Sequence, residues 1–407
     1  MQYPHVSLRA LAGFSAVTAY FFIPWTLAGA NIALLCLLLS WLLTGGLRQR
    51  WHTARANAIT YPLLAMYALI VLGALYTTAP WKVVADHWLK YDKLLLMVIA
   101  ISLLSDRKTR EQCWVAFTVA VLFTVVSSYL SIWWTLPWSR TRSLGWGGDH
   151  SVFKDYITQS VLVSLLMLRS LYLGLRAPMS AWQRWAWFAV AALAFVCNTQ
   201  LSYGRTGYVA TAVAVVAFVL ALVPMRRWWM ALGLVALFLA AAVFLSPTIW
   251  PRVALGLKEL GEVPQPTTSI GPRLYFLHYG LELFLQKPWL GWGTGAYHGE
   301  FCRVATTPEW CKAGSFHPHN QFLFFMIEHG VAGLAAFAAV FAAGLWQTLR
   351  MERLDRAVAL AFVGVAFVGN LTHSGIWLAN EGLAYGFGLV LVLTAPRLAD
   401  TPAERSA

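Results

Sequence analysis

Two histidines and two amide residues stand together in the run His317-Pro318-His319-Asn320-Gln321, directly before a long apolar segment. We predict that a helix begins at His319, after the proline. The N-terminus of a helix favours a bound anion and a neutral imidazole, and a neutral imidazole can act as a general base. His319 is therefore the candidate catalytic residue and His317, Asn320 and Gln321 are secondary candidates. The alternative is that His319 only caps the helix.

Metal chemistry has less support in the sequence. Zinc binding by His317 and His319 with His278 or His298 is an alternative, but no recognised zinc-ligand spacing is present. The segments expected outside the cytoplasm contain no Asp-x-Asp pair to hold a diphosphate through a metal ion. The chain also lacks a Walker loop and a Gly-x-Ser-x-Gly motif. We therefore expect no metal and no other cofactor.

Arg205 is a second candidate because it lies in a short turn, Ser-Tyr-Gly-Arg-Thr-Gly at 202–207, between two apolar segments. A guanidinium at that depth is costly unless it meets a partner. Its planar fork binds phosphate oxygens in pairs, so a diphosphate is a suitable partner.

These residues belong to a chain with the composition of a membrane protein. Of its 407 residues, 59% are hydrophobic and 12% are charged, whereas soluble domains contain about twice that charged fraction. The first two apolar runs, 8–25 and 28–43, have no cleavage site and are predicted to form an uncleaved helical hairpin. The net charge of +13 fits basic cytoplasmic loops, and no long basic run indicates nucleic-acid binding.

About twelve segments are apolar and long enough to be read as transmembrane helices. Placing the connections that carry Arg48, Arg107, Arg176, Arg226 and Arg350 in the cytoplasm satisfies the positive-inside rule and leaves both termini cytoplasmic. We therefore predict an all-α polytopic membrane protein with a single transmembrane domain, 1–407. The predicted spans are 8–25, 28–45, 58–76, 89–105, 113–135, 157–175, 185–201, 207–224, 229–246, 319–346, 357–373 and 380–395.

With this topology, several basic residues face the extracytoplasmic side, where positive charge is normally depleted. Their presence indicates a bound anion, although single lysines and arginines can also reach lipid headgroups. These residues are Arg140, Arg142, Lys154, Arg205, Arg252, Arg273 and Lys287.

The only sizeable extramembrane segment is the predicted loop 247–318. Within it, a helix over 273–286 has leucines at 274, 277, 281 and 285, a face that can lie on the membrane or on the helix bundle. Cys302 and Cys311, the two cysteines outside the apolar spans, are predicted to form a disulfide in an oxidising compartment. The glycine-rich run 291–295 is interpreted as a tight loop facing the site.

A last group of residues follows His319 on the predicted helix. Gly330 and Gly333 are expected to allow close helix packing. Glu328 and His329 lie at a depth where ionisable groups pair or line a cavity, so a structural and a functional role are both open.

The order and spacing of four elements resemble the O-antigen ligase (WaaL) family and its Wzy-C-type relatives. The resemblance implies a metal-independent, inverting glycosyltransferase with a GT-C-type membrane fold in the bacterial inner membrane, its active site facing the periplasm. It also implies His319 as the base and Arg205 and Arg273 as diphosphate-binding residues. The four elements are Ser202-x-x-Arg205-Thr-Gly207, Arg273, Lys287-Pro288-x-x-Gly291-x-Gly293-x-Gly295, and His319-Asn320 followed by His329-Gly330-x-x-Gly333.

The implied donor is an O-antigen polysaccharide on undecaprenyl diphosphate, and the implied acceptor is a sugar hydroxyl of lipid A–core. O-antigen polymerases and protein O-oligosaccharyltransferases use the same donor, and both are alternatives. A transporter or flippase of an anionic lipid is an alternative of another class, expected to place charges at the midplane rather than toward one face.

Overall fold

A computed structural model describes residues 8–396 except 177, 245, 247, 269 and 315. Most of the two predicted cytoplasmic termini lies outside the described residues, as do residues 247, 269 and 315 of the predicted loop. Within the described residues the regular secondary structure is helical, without a β-strand. The α-helices are α1 (Leu8–Phe22), α2 (Leu27–Leu43), α3 (Leu47–Arg55), α4 (Thr60–Leu72), α5 (Trp81–Tyr91), α6 (Lys93–Leu104), α7 (Arg107–Leu130), α8 (Tyr156–Leu175), α9 (Ala181–Gln200), α10 (Arg205–Leu222), α11 (Trp228–Phe244), α12 (Ile249–Leu260), α13 (Gly271–Gln286), α14 (Tyr297–Val304), α15 (Pro308–Gly314), α16 (Gln321–Thr348), α17 (Arg353–Thr372) and α18 (Ala379–Leu393).

Each predicted transmembrane segment contains a helix, but not every helix is long enough to cross a bilayer alone. In the described part of the chain, 6 helices have the length and apolar composition of a span, or 7 if the bent pair Leu47–Arg55 and Thr60–Leu75 forms one span. The 6 helices are α7, α8, α10, α11 with its preceding turn from Met225, α16 and α17. The protein is thus an all-helical, multi-pass membrane protein.

Small residues bring the central helices together. A Cβ atom at Gly207 of α10 would lie 2.4 Å from the hydroxyl of Ser160 on α8. A Cβ atom at Gly388 of α18 would lie 2.4 Å from the ring of Phe362 on α17. Close backbone approach of this kind is how helices pack where burial of apolar surface from water does not drive association.

Helices α12 to α15 lie between α11 and α16, in the predicted loop. The leucine face of α13 is exposed: Leu274, Leu277, Leu281 and Leu285 are 38–71% accessible. The opposite face is buried, and Gly280 lies against Leu323 of α16. The prediction left two placements for the leucine face, on the membrane or on the helix bundle. The second is wrong, because the face of α13 that contains Phe276 and Gly280 contacts the bundle instead.

Helix α16 is broken at Gly330, which has φ 60° and ψ −152°. The backbone of the segment before the glycine-rich run fills the break, because the Val331 N–H donates to the Pro288 carbonyl at 2.7 Å. A Cβ atom at Gly330 would lie 2.4 Å from the carbonyl carbon and oxygen of Trp289. The expectation of ordinary helix packing at Gly330 is therefore wrong: this glycine admits another backbone into an interrupted helix.

Candidate active site

His319 lies just before α16 rather than on it. Asn320 is the N-cap, its side-chain oxygen accepting from the Leu323 N–H at 3.0 Å. His319 itself has a φ of +53°, and it stacks on Phe276 of α13 with ring centroids 5.9 Å apart. The predicted helix start at His319 is thus wrong by two residues, because the capping asparagine sets the boundary at Gln321.

Two other histidines surround His319. Its Nδ1 lies 3.2 Å from Nδ1 of His373, which directly follows α17. The backbone N–H of His319 donates to Nδ1 of His317 at 3.2 Å. His317 and His373 are 8% and 7% exposed, so the cluster is buried on two sides and accessible at His319.

A carboxylate and a lysine lie behind His373. Nε2 of His373 is 3.6 Å from Oε1 of Glu381 on α18. The neighbouring Asn380 accepts from the ammonium group of Lys154 at 2.7 Å. Lys154 is buried directly before α8, which Asp155 caps. Burial lowers the pKa of Lys154 to about 8, while Asp155 and Glu381 oppose that shift.

Arg273 lies in the first turn of α13, where its Nε donates to the carbonyl of Thr372 at 3.4 Å. Burial lowers the pKa of its guanidinium, Tyr156 and Glu259 oppose the shift, and the positive charge of Arg205 adds to it. Arg273 is therefore within electrostatic range of Arg205.

Arg205 is the first residue of α10 and lies against α12. Its Nη1 is 3.3 Å from Oε2 of Glu259, and a Cβ atom at Gly256 would lie 3.3 Å from the same nitrogen. Its Nε and Nη2 are buried without a hydrogen-bond partner among the described residues. Buried guanidinium nitrogens without partners are costly, so this group is suited to bind an anion.

The environment of His319 keeps its imidazole neutral. Burial, His373 and then Arg273 lower the pKa of His319 to about 3. The imidazole is then unprotonated at neutral pH and can accept a proton from a hydroxyl group. Arg205, Arg273 and His319 thus form a sequence of neighbours in which each acts electrostatically on the next.

A family model described as O-antigen ligase matches residues 188–338. This region of the chain matches the O-antigen ligase family. The resemblance carried by the motifs is thereby confirmed over this region, which contains Arg205, Arg273 and His319. A comparison with curated proteins finds no match.

Two further residues singled out in the sequence, Gln321 and Glu328, have structural contacts. Gln321 is buried and accepts from the Trp377 N–H at 2.9 Å, which holds the segment that carries His373. Glu328 accepts from the Gly295 N–H at 2.9 Å and lies 3.5 Å from His87. The glycine-rich run therefore packs on α16 through Glu328.

The remaining basic and histidine candidates lie on the surface or near it. Arg140 and Arg142 are exposed, as are His278 and His298. Arg252 stacks over Tyr203 at 4.5 Å, and Lys287 over Trp292 at 4.1 Å. The structure joins Cys302 to Cys311 in a disulfide that links α14 to α15.

Sequence reasoning did not find His373 and Glu381, which lie beyond the matched region. The available signal was the polar content of 370–381, where two asparagines, a histidine and a glutamate interrupt apolar sequence. Ionisable residues at such depth are candidates for function in a membrane protein.

Proposed function

We propose that this protein transfers an O-antigen polysaccharide from undecaprenyl diphosphate to a sugar hydroxyl of lipid A–core. The observation that supports this most is that Arg273 lies within electrostatic range of both Arg205 and His319. Two guanidinium groups thus lie on one side of a neutral imidazole. Such an arrangement fits a reaction with a dianionic leaving group at one end and a hydroxyl nucleophile at the other. The match of residues 188–338 to the O-antigen ligase family supports the same reaction class.

In this proposal, His319 removes the proton from the acceptor hydroxyl as its oxygen attacks the anomeric carbon. The bond between that carbon and the diphosphate oxygen breaks, and the electron pair leaves with undecaprenyl diphosphate. Attack from the opposite face inverts the anomeric configuration. General-base assistance of this kind contributes roughly 10²–10⁴ in rate.

Arg205 and Arg273 neutralise the charge that develops on the leaving diphosphate. Two nitrogens of Arg205, Nε and Nη2, have no hydrogen-bond partner among the described residues and are proposed to donate to the diphosphate. Charge stabilisation in a water-poor site is often the largest contribution to catalysis, and it requires no metal ion here. Lys154, Arg140 and Arg142 are proposed to hold further phosphates of the donor or of lipid A–core.

The proposed setting is the bacterial inner membrane, with about twelve spans in a GT-C-type arrangement. The shorter helices α1, α2 and α18 are apolar, and together with α4, α6 and α9 they complete that number. The segment from α12 to α15 then faces the periplasm, with the site between it and the helix bundle.

The decisive experiment compares His319→Ala with His278→Ala, a matched change of an exposed histidine on α13. His319→Ala should lower transfer to lipid A–core by roughly 10²–10⁴ while donor binding stays largely intact, because a base acts in the chemical step. His278→Ala should retain both. Wild-type transfer by folded His319→Ala protein would contradict the proposal.

The same preparation separates the alternative functions. A ligase forms lipid A–core product in detergent without a gradient, a polymerase lengthens the glycan on undecaprenyl diphosphate, and an oligosaccharyltransferase needs a protein acceptor. A transporter forms no glycosidic bond in any of these mixtures.

A further inference from the structure

The three histidines at the site meet from two separate parts of the chain. His317 and His319 precede α16, and His373 follows α17. One nitrogen from each ring lies within 4.8 Å of the others. The closest pair is Nδ1 of His319 and Nδ1 of His373, at 3.2 Å.

These distances are close to those of a metal site. Zinc binds imidazole nitrogens at about 2.0–2.1 Å in tetrahedral geometry, which places two bound nitrogens roughly 3.3–3.4 Å apart. The His319–His373 distance already has this size. The third nitrogen, from His317, needs a shift of no more than about 1.5 Å by the same geometry.

The surroundings of His373 add a second feature of metal sites. With Nδ1 directed at His319, its Nε2 lies 3.6 Å from the carboxylate of Glu381. Metal-bound histidines commonly donate their other ring N–H to a carboxylate, which fixes the tautomer and strengthens the ligand. The structure therefore contains three candidate ligands and a carboxylate beside one of them.

Electrostatics decides how firmly such a site holds a cation. The carboxyl group of Glu381 lies next to the cluster, whereas Arg273 and Lys90 are cations near His317. Lys93 and Lys154 are further cations near Glu381. Because these cations surround the cluster, they weaken the binding of a dication. The arrangement thus fits an exchangeable ion rather than a permanent structural metal.

We propose that His317, His319 and His373 form a binding site for a zinc-type divalent metal ion, and that bound metal reversibly blocks the site. The ion coordinates the lone pair of the His319 imidazole, and water occupies the fourth coordination position of the ion. That lone pair is then unable to accept a proton from a hydroxyl group. The inhibitory consequence rests on the proposed function, whereas metal binding does not.

Binding is tested on the purified full-length protein in detergent by titration with Co²⁺, whose visible absorption reports tetrahedral coordination, followed by displacement with Zn²⁺. One ion per chain is expected. His373→Asn and His317→Asn should each abolish the absorption band, and the double variant His278→Asn/His298→Asn, which changes two exposed histidines, should keep it.

Thermal unfolding checks that each variant is folded, and if His373→Asn is unfolded, His317→Asn carries the same test. Absence of a tetrahedral band in the parent protein would overturn the site. A band that survives in the folded cluster variants would do the same.

Inhibition is tested by measuring transfer to lipid A–core with Zn²⁺, with Zn²⁺ followed by EDTA, and with EDTA alone. We expect Zn²⁺ to abolish transfer and EDTA added after Zn²⁺ to restore it fully. EDTA alone should leave transfer unchanged. Stoichiometric binding without inhibition would overturn the blocking role, and activation by Zn²⁺ would overturn it as well. A parent protein that binds one Co²⁺ per chain but transfers no glycan would contradict the proposed function and leave the metal site standing.

Discussion

The interruption of α16 can be tested by Gly330→Ala. At φ 60° and ψ −152° the residue occupies a region that is essentially restricted to glycine. An added Cβ atom would lie 2.4 Å from the carbonyl carbon and oxygen of Trp289 and 2.6 Å from the carbonyl oxygen of Pro288. These are backbone atoms of a loop that donates and accepts hydrogen bonds, so they cannot rotate away.

The expected cost follows from two contributions. Holding alanine in this conformation costs about 1–3 kcal/mol, and the overpacked contact costs about 1–3 kcal/mol. Alanine also lowers the conformational entropy of the unfolded chain, which offsets about 0.4–1 kcal/mol of this destabilisation. We therefore expect a net destabilisation of roughly 1–5 kcal/mol.

The assay heats the protein in detergent and measures the temperature at which half of the folded protein is lost. This temperature is used because unfolding of large membrane proteins is usually irreversible. Gly233→Ala is the matched control. Gly233 lies in α11, where an added Cβ atom meets no atom of the described residues within 4 Å. Helix propensity therefore predicts a gain of up to about 1 kcal/mol in stability. The two substitutions should thus shift the temperature in opposite directions. A Gly330→Ala protein as heat-stable as the parent would refute the reasoning.

Three further predictions concern charge, covalent structure and orientation. Arg205→Lys and Arg273→Lys should each lower transfer roughly 10- to 100-fold, the loss of about 1.5–3 kcal/mol from a paired, charge-assisted contact. Added Mg²⁺ should restore neither variant and EDTA should not inhibit the parent, so metal-dependent rescue would argue against the arginine role. Mass spectrometry without reduction should recover Cys302 and Cys311 as one linked peptide pair, and free thiols at both positions would be inconsistent with the disulfide. Reporter fusions should place Arg227 in the cytoplasm and the segment from α12 to α15 in the periplasm, and labelling of Arg227 from the periplasm would reverse the topology.

Much of the helical framework was predictable because it depends on local composition. Apolar segments of sufficient length have no other satisfactory conformation in a bilayer, so each predicted segment contains a helix. The boundaries were less predictable. At α16 the proline at 318 suggested an earlier start, whereas the side chain of Asn320 sets it at Gln321.

Features that depend on contacts between distant segments could not be found in the same way. The leucine spacing of α13 indicated an apolar face correctly, but Gly280 and Phe276 determine which face meets the bundle. His373 and Glu381 carry no motif of their own. Their relation to His319 exists only once α17 and α18 pack beside α16.

That packing has a consequence for how the protein matures. Arg205 and Arg273 are synthesised and inserted well before His373, which emerges after α17, and Glu381 follows on α18. A nascent chain that has released α16 already holds His319, yet the contacts from His373 to His319 and Glu381 do not yet exist. The histidine cluster is therefore completed only after α17 and α18 have been synthesised and have packed beside α16.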